Sequence, residues 1–364
     1  MPIDSEAQPV FRRATVEEAP AILRVLDSAF DHWPAFQIDV PAIEHLRWKM
    51  MPAGYAQDLH GVIDRGGEIV GAQLRWLGRV EIQGRVLPLD FGTDLSVHES
   101  ARGLGLGSLL RDAEEPRLFG QRIVGFDTVS ANQQVADMYN VRGPIRRPTA
   151  VWARPLTARM FGSLHRDHLL SGAASATIAA VRRVARPWSP IDSPPPAVEV
   201  EPVTAFDARA DALWERVRGD FELARVRHAE WLNWRYLDPR AGLIRAYQVT
   251  DGDRLLGYAA FRRDQRNGKV LDLVTEPARP AVAVALLERG VADLRRGGCV
   301  IVDCLLPARH RHESALQAAG FSRRPADRAV QITRARSQAV PEIIEVFSDE
   351  QLPIHVMYGD FDHG

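Results

Sequence analysis

The spacing of apolar positions divides the chain into an ordered series of elements. A helical stretch closes on Leu46-Arg-Trp48-Lys49, and the segments Gly61-Val-Ile-Asp, Arg-Gly-Gly-Glu and Ile-Val-Gly-Ala then form run, turn and run. Apolar runs flanking a glycine turn predict a β-hairpin. Strand-like Arg79-Val-Glu-Ile, the turn Gln83-Gly84 and a strand over 86–97 come next. The glycine-rich stretch Arg102-Gly103-Leu104-Gly105-Leu106-Gly107 leads into a helix over 108–115, a strand over 123–129 and a helix over 133–141. The order helix, hairpin, strand, Gly-rich turn, helix, strand, helix predicts a mixed-sheet α/β sandwich.

The pattern returns further along. Leu46-Arg-Trp48-Lys49 reappears as Leu232-Asn-Trp234-Arg235, again ending a helical stretch. Trp48 precedes Gly71 by 23 residues, Trp234 precedes Gly257 by 23, and the turns Gly66-Gly67 and Gly252-Asp253 fall at the same offset. The chain therefore reads as a tandem duplication, the alternative being common hairpin grammar repeated by chance. The prolines of 187–196 stiffen the backbone into an extended linker and mark the boundary. The expected division is a first domain over 1–165, a helical and Pro-rich linker over 166–198, a second domain over 199–336 and an acidic docking tail over 337–364.

Composition narrows the class. At about 100 to 200 residues per domain, the 364 residues accommodate two domains with real cores. With 46 Lys and Arg against 47 Asp and Glu, no global basic field recruits nucleic acid. The longest apolar stretch, 169–181, is 13 residues and ends in arginines, short of the roughly 20 that cross a bilayer. The first thirty residues are charged and lack the apolar core of a signal peptide, so the expected location is the cytoplasm. Cys299 and Cys304 share one apolar run and point to opposite faces of a strand, which disfavours a disulfide between them. His310-Arg-His312-Glu313 lacks a fourth ligand and reads as a solvated helix start, so no metal is expected.

The Gly-rich turn carries the chemistry. Between a strand and a helix, consecutive backbone N–H groups there face an anion, helped by the helix dipole. A phosphate-binding P-loop requires Lys before Ser or Thr, and Gly107-Ser108-Leu109 supplies none; the dinucleotide fingerprint beginning at Gly103 meets Ser108 where it needs Gly or Ala. The pattern that fits is Arg/Gln-x-x-Gly-x-Gly/Ala, filled by Arg102, Gly105 and Gly107 after Leu95-Ser96-Val97-His98. It resembles the pyrophosphate turn of the GNAT superfamily of acyl-CoA N-acyltransferases. Thirty residues after Arg102, Asn132 follows a strand, Tyr139 comes seven residues later and Gly143 four beyond it. These offsets are similar to the family's second motif, although Pro144 stands where the family usually has Phe. The resemblance covers about residues 11–155.

It implies a fold of two GNAT-like mixed-sheet α/β (α+β) domains in tandem, with acetyl-CoA as co-substrate. The amides of Gly103, Leu104, Gly105, Leu106, Gly107 and Ser108, with Arg102, would hold the CoA pyrophosphate. The backbone of Leu95 and Val97 would pair with the pantetheine amides, and Asn132 would complete the cofactor site. Tyr139 would protonate the departing thiolate, its alternative being a packed helix aromatic. Asp94 is the preferred base or amine anchor; Asp90, four residues earlier on the same strand face, is the other carboxylate, and either could instead cap a turn or pair with a surface Arg. His98 and Glu99 border the turn. The loop Ala29-Phe-Asp-His32-Trp33-Pro-Ala-Phe36 would wall the acceptor side.

The second copy reads Thr275-Glu-Pro-Ala-Arg279 where the phosphate turn belongs and Leu316 in the place of Tyr139, so no CoA is expected there. The tail holds six acidic residues and no Lys or Arg, yet carries strand-like Pro353-Ile-His-Val-Met-Tyr358, and is expected to dock with Asp360 or Asp362 near an acceptor amine. Direct acetyl transfer to a primary amine of a small molecule follows, since no cysteine lies near the thiol site. The architecture is similar to mycothiol synthase and to enhanced-intracellular-survival acetyltransferases. The chain looks closer to proteins associated with surface polysaccharide, which favours an amino-sugar acceptor. The alternatives are a tRNA-dependent aminoacyltransferase and a CoA-sensing or partner-binding pseudoenzyme; a homo-oligomer is compatible with all three.

Overall fold

The computed structural model describes residues 7–51, 60–113, 124–125, 127–128, 145–157, 198–277, 279–332 and 341–361. The first copy opens with β1 (Val10–Arg13), α1 (Ala19–Ala29) and α2 (Ala42–Met50), then β2 (Gly61–Arg65), β3 (Glu68–Ile82) and β4 (Arg85–Val97). Both connecting turns sit where glycine frees the backbone: Gly66 and Gly67 at φ 62° and 85°, Gln83 and Gly84 at 48° and 74°. Such pairs of left-handed residues are the two-residue hairpin turns whose twist matches the strands. The run over 79–82 is the end of β3 rather than a separate strand. Next come α3 (Leu106–Asp112) and the short pieces β5 (Val124–Gly125), β6 (Asp127–Thr128) and β7 (Ile145–Pro155).

The second copy repeats the order. β8 (Glu201–Pro202), α4 (Ala208–Val217), β9 (Leu223–Arg225) and α5 (Ala229–Leu232), the last continued by a π-helical turn over Asn233–Leu237, precede the hairpin β10 (Ile244–Asp251) and β11 (Arg254–Asp264). β12 (Asn267–Thr275), α6 (Pro280–Arg296), β13 (Ile301–Pro307), α7 (Glu313–Ala318) and β14 (Ser322–Ile332) complete it. The tail adds α8 (Pro341–Ser348), β15 (Ile354–His355) and a 3₁₀ turn at Tyr358–Asp360.

The copies are interlocked. One sheet runs β1-β2-β3-β4-β5, with β9 of the second copy pairing β3 along Val80–Ile82. The other runs β6-β14-β7-β13-β12-β11-β10-β8. β7, from the first copy, lies antiparallel between β13 and β14 of the second. In exchange, β14 pairs residues 127–128, which follow by one residue the pair that joins β4. Each copy thus lends a strand to the other.

The largest apolar core spans both copies, packing Trp48, Trp76 and Phe91 of the first with Trp214, Trp231 and Trp234 of the second and Val356 and Phe361 of the tail. At its centre Trp48 stacks on Trp234 at 4.7 Å between ring centroids, and its indole N–H donates to the Trp234 carbonyl at 3.1 Å. The two echoed tryptophans are therefore partners across the junction of the copies. Both cysteines are buried and unpaired. The linker over 166–198 falls largely outside the described residues.

Candidate functional site

β4 carries the site because its regular pairing with β3 fails at one place. Ala72 pairs with Ser96 and Leu74 with Thr93, so Asp94 and Leu95 together face Gln73. This is a β-bulge, and Asp94 absorbs it at φ 49°, a left-handed conformation that Asp tolerates better than most residues. β5 pairs with Leu89 and Asp90, and no described residue pairs with Phe91–Val97 on that side.

Beyond Val97 the chain turns sharply. His98 N–H donates to the Val70 carbonyl at 2.9 Å and holds the strand end, and a 3₁₀ turn over Glu99–Ala101 follows. Gly103 and Gly105 take φ 82° and 72°, and Gly105 caps α3. A Cβ at Gly103, Gly105 or Gly107 would meet nothing within 4 Å, so their backbone faces open space. The turn is tied to the end of α1, since Glu99 N–H donates to Ser28 Oγ at 3.0 Å and Arg102 Nη2 to the Ser28 carbonyl at 3.0 Å. Leu104 and Leu109 stand exposed beside it.

Asp94 is the chemical centre of what is described. Its carboxylate is buried and accepts from the Trp33 indole N–H at 2.8 Å and from Thr93 Oγ1 at 3.2 Å, and forms an ion pair with Lys49 Nζ. Lys49 is 1% exposed and lies 5.4 Å from the Trp33 ring centre and 5.7 Å from that of Trp76, so its ammonium sits between a carboxylate and two indoles. Trp33 comes from the loop between α1 and α2, which the structure brings over Asp94. Of the predicted cofactor residues, Leu95, Val97 and 102–108 follow Asp94 directly along the chain. Asn132, Tyr139 and the Asp90 side chain lie outside the described residues.

Three participants carry no sequence assignment of chemistry: Lys49, Trp76 and Arg235. The signal was present in the echo, where a charged residue follows a tryptophan at the end of each helix. Arg235, the counterpart of Lys49, is likewise buried and lies 5.1 Å from the Trp76 ring centre.

The second copy holds the same position in a sealed form. Asp272 precedes Thr275, the partner of Gly257, by three residues, as Asp94 precedes Val97, the partner of Gly71. Asp272 accepts from Arg227 Nε at 2.9 Å, Tyr258 Oη at 3.0 Å and Tyr236 Oη at 3.2 Å, and contacts His355 Nε2 at 3.1 Å. Burial, with the Asp272 charge adding to it, drives both phenols far above their ordinary pKa. Burial alone would lower Arg227, but Asp272 and Asp360 outweigh it and hold the guanidinium charged. The tail covers this centre: Asp360 takes Arg227 Nη2 at 2.8 Å, and Arg235 donates to the carbonyls of Gly359 and Phe361 at 3.0 and 2.9 Å.

His310 and His312 are not a solvated helix start: both are buried, and His310 packs against Phe221 and against His355 of the tail. The His312 backbone N–H donates to His310 Nδ1, leaving His310 Nε2–H to donate to His355 Nδ1 at 2.9 Å and His355 Nε2–H to donate to Asp272. A chain of neutral rings satisfies every link, and burial, reinforced by neighbouring cationic and imidazole groups, keeps all three histidines far below the ordinary imidazole pKa. Among the described residues, no group of His, Cys, Asp or Glu is arranged to hold a metal.

This architecture has relatives among solved structures. A GCN5-related N-acetyltransferase from Anabaena variabilis superposes at a TM-score of 0.58 with 16% identity, over 90% of this chain and 73% of that one. A protein of Enterococcus faecalis described as a probable N-acyltransferase gives 0.59 and 12%, with the same coverage. N-myristoyltransferase of Saccharomyces cerevisiae, solved with bound myristoyl-CoA, gives 0.57 and 13% over 90% of this chain and 84% of its own. The chain has the fold of the GNAT superfamily, in two interlocked copies. No protein-family model matches the sequence, and no curated protein matches it.

Proposed function

We propose that this protein is an acyl-CoA-dependent N-acyltransferase that moves acetyl from acetyl-CoA directly to a primary amine of a small molecule, an amino sugar being the favoured acceptor. The observation that supports this most is one continuous segment of the first copy: a strand bulged at Asp94, with no described neighbour beyond Asp90, running into a turn with two left-handed glycines and open approach. The strand offers backbone groups to the pantetheine amides, and residues 103–107 offer N–H groups, with the Arg102 guanidinium, to the pyrophosphate, while the Arg102 and Ser108 N–H groups close the turn on the Glu99 and Gly105 carbonyls.

In this reading the acceptor's ammonium joins Asp94 and gives a proton to its carboxylate, and the free amine attacks the thioester carbonyl. The tetrahedral intermediate then expels the CoA thiolate, which Tyr139 protonates. Holding the two reactants in line supplies most of the rate. Acyl length is the least constrained part, and the myristoyl-CoA bound by the yeast neighbour makes a longer chain the first variant to test.

One observation favours a second reading, a CoA-binding protein without turnover: both Asp94 oxygens already have partners, Trp33 on one and Lys49 with Thr93 on the other. The two readings separate in a single series. Calorimetric titration of acetyl-CoA should give micromolar binding that Gly105→Glu abolishes by placing bulk and negative charge in the turn. An amine panel assayed for thiol release then decides turnover, with Tyr139→Phe as the control expected to lose about 10²-fold or more in kcat. Binding without release from any amine establishes the non-catalytic reading, and absence of binding by folded wild type removes both.

A further inference from the structure

The second copy has lost the phosphate turn and buried its own acidic position, yet it grips one segment of the first copy at several points. The loop between α1 and α2 carries Trp33, the indole donor to Asp94, and three residues later Phe36. The Phe36 ring packs against two residues of the second copy, Arg262 and Gly242. The Arg262 guanidinium sits 4.0 Å from its centre, and the Gly242 backbone is so near that a Cβ there would lie 3.3 Å from the ring and 3.5 Å from Arg262 Cδ. Arg262 is itself held by Asp264 Oδ2, at 3.3 Å from Nε and 2.9 Å from Nη2. The other oxygen of that carboxylate, Oδ1, accepts the Gln37 backbone N–H at 3.3 Å. One aspartate of the second copy therefore fixes both the cation over Phe36 and the backbone beside it.

The grip is transmitted through rings. His45 lies edge-on to Phe36 at 5.4 Å between centroids and 5.4 Å from Trp33, and its Nδ1 contacts the Arg240 carbonyl of the second copy at 2.6 Å. A contiguous path runs from Asp264 and Arg262 through Phe36 and His45 to Trp33, and so to the Asp94 carboxylate. The charged groups beside that carboxylate and along the path are Lys49, Arg262 and Asp264.

We propose that Arg262 and Asp264 are positioning residues for the first copy's site: they fix the 33–37 loop and, through Trp33, the direction in which Asp94 presents its carboxylate, and thereby set acceptor affinity. The proposal rests on the reading of Asp94 as the acceptor's anchor. It gives the degenerate copy a role that needs no ligand of its own. Neither residue touches the cofactor turn, so the effect falls on the acceptor and leaves CoA binding alone.

Arg262→Lys keeps the charge and loses the flat guanidinium face, while Phe36→Ala removes the ring from a partly exposed position where misfolding is less of a hazard. Acetyl-CoA affinity should stay within about twofold of wild type in both, while KM for the best amine of the panel rises about tenfold and kcat changes little. Trp33→Phe combined with Phe36→Ala should be no worse than Trp33→Phe alone, because the two changes cut one path. An unchanged KM, or additive losses in the double variant, overturns the proposal. Should the wild type bind acetyl-CoA and acylate no amine, the functional reading fails and the loop is judged by hydrogen exchange. Faster exchange of the Gln37 amide and the Trp33 indole N–H in Arg262→Lys supports the coupling, and unchanged exchange overturns it.

Discussion

A lysine with 1% of its side chain exposed beside an aspartate with 2% exposed is expensive unless the two satisfy each other. Desolvation of two charges is repaid only with good geometry and additional hydrogen bonds, which Trp33 and Thr93 supply to Asp94. Removing one partner strands the other, so Lys49→Met should cost about 3–5 kcal/mol of unfolding free energy. Lys49→Met with Asp94→Leu should recover much of that loss. Urea denaturation of both variants checks the prediction, and a double variant as unstable as the single one would show that the cost is packing around the indoles rather than the stranded charge. Asp94 was readable as a candidate because it sits three residues before the strand end; its bulged conformation and its lysine were not, because pairing register and helix-to-strand contacts are set by distant residues.

At the scale of elements, the tail is the informative piece. Residues 354–361 are buried throughout, and α8 is anchored by Arg147 of β7, which donates to the carbonyls of Val346, Asp349, Glu350 and Leu352. Gly359 fits where it does because a Cβ would strike the Tyr236 hydroxyl and come 2.8 Å from the Leu271 carbonyl. Gly359→Ala should therefore lower stability by about 1–3 kcal/mol in the same denaturation assay. The histidines beneath the tail give a pH signature with a definite sign. Unfolded, each titrates near 6.5, whereas folded each is held far lower by burial. Below about pH 6.5 the unfolded chain takes up protons that the folded chain refuses, so their contribution is fully present above that pH and falls as acid is added. The loss approaches about 1.4 kcal/mol per pH unit for each histidine, and His310→Gln should flatten the slope of the denaturation midpoint between pH 7.5 and 5.5. An unchanged slope in that variant would assign the acid sensitivity elsewhere. The apolar tail residues announced docking from the sequence; that His355 would pack on His310 was not visible, since the two lie 45 residues apart.

For the whole molecule, the exchange of β7 and β14 makes the copies one cooperative unit. A fragment ending at the Pro-rich linker would lack β14 beside residues 127–128, leave β7 without either neighbour and expose the core around Trp48 and Trp76. Such a fragment should fail to fold alone, while two halves divided within 187–196 and expressed together should co-elute as one species on size exclusion. Independent folding of the first half would show that its own sheet suffices. The expected division at 165 follows motif order along the chain, and strand pairing is free to ignore that order when the polar edges left behind find partners.

Periodicity, turn chemistry and the internal echo carried the two hairpins, the duplication and the position of the Gly-rich turn, because these depend on residues close in sequence: a left-handed glycine or an alternating face is a local requirement, whereas the helix expected over 133–141 lies outside the described residues. The resemblance of residues 95–108 to an acyl-CoA motif is local in the same way. Tertiary structure alone decided which tryptophans meet, that Lys49 neutralises Asp94, that the tail seals the second acidic position and that Arg262 reaches back across the copies to Phe36. Each of these joins residues tens to hundreds of positions apart, and their energies arise from burial and pairing that exist only once the two sheets have interlocked.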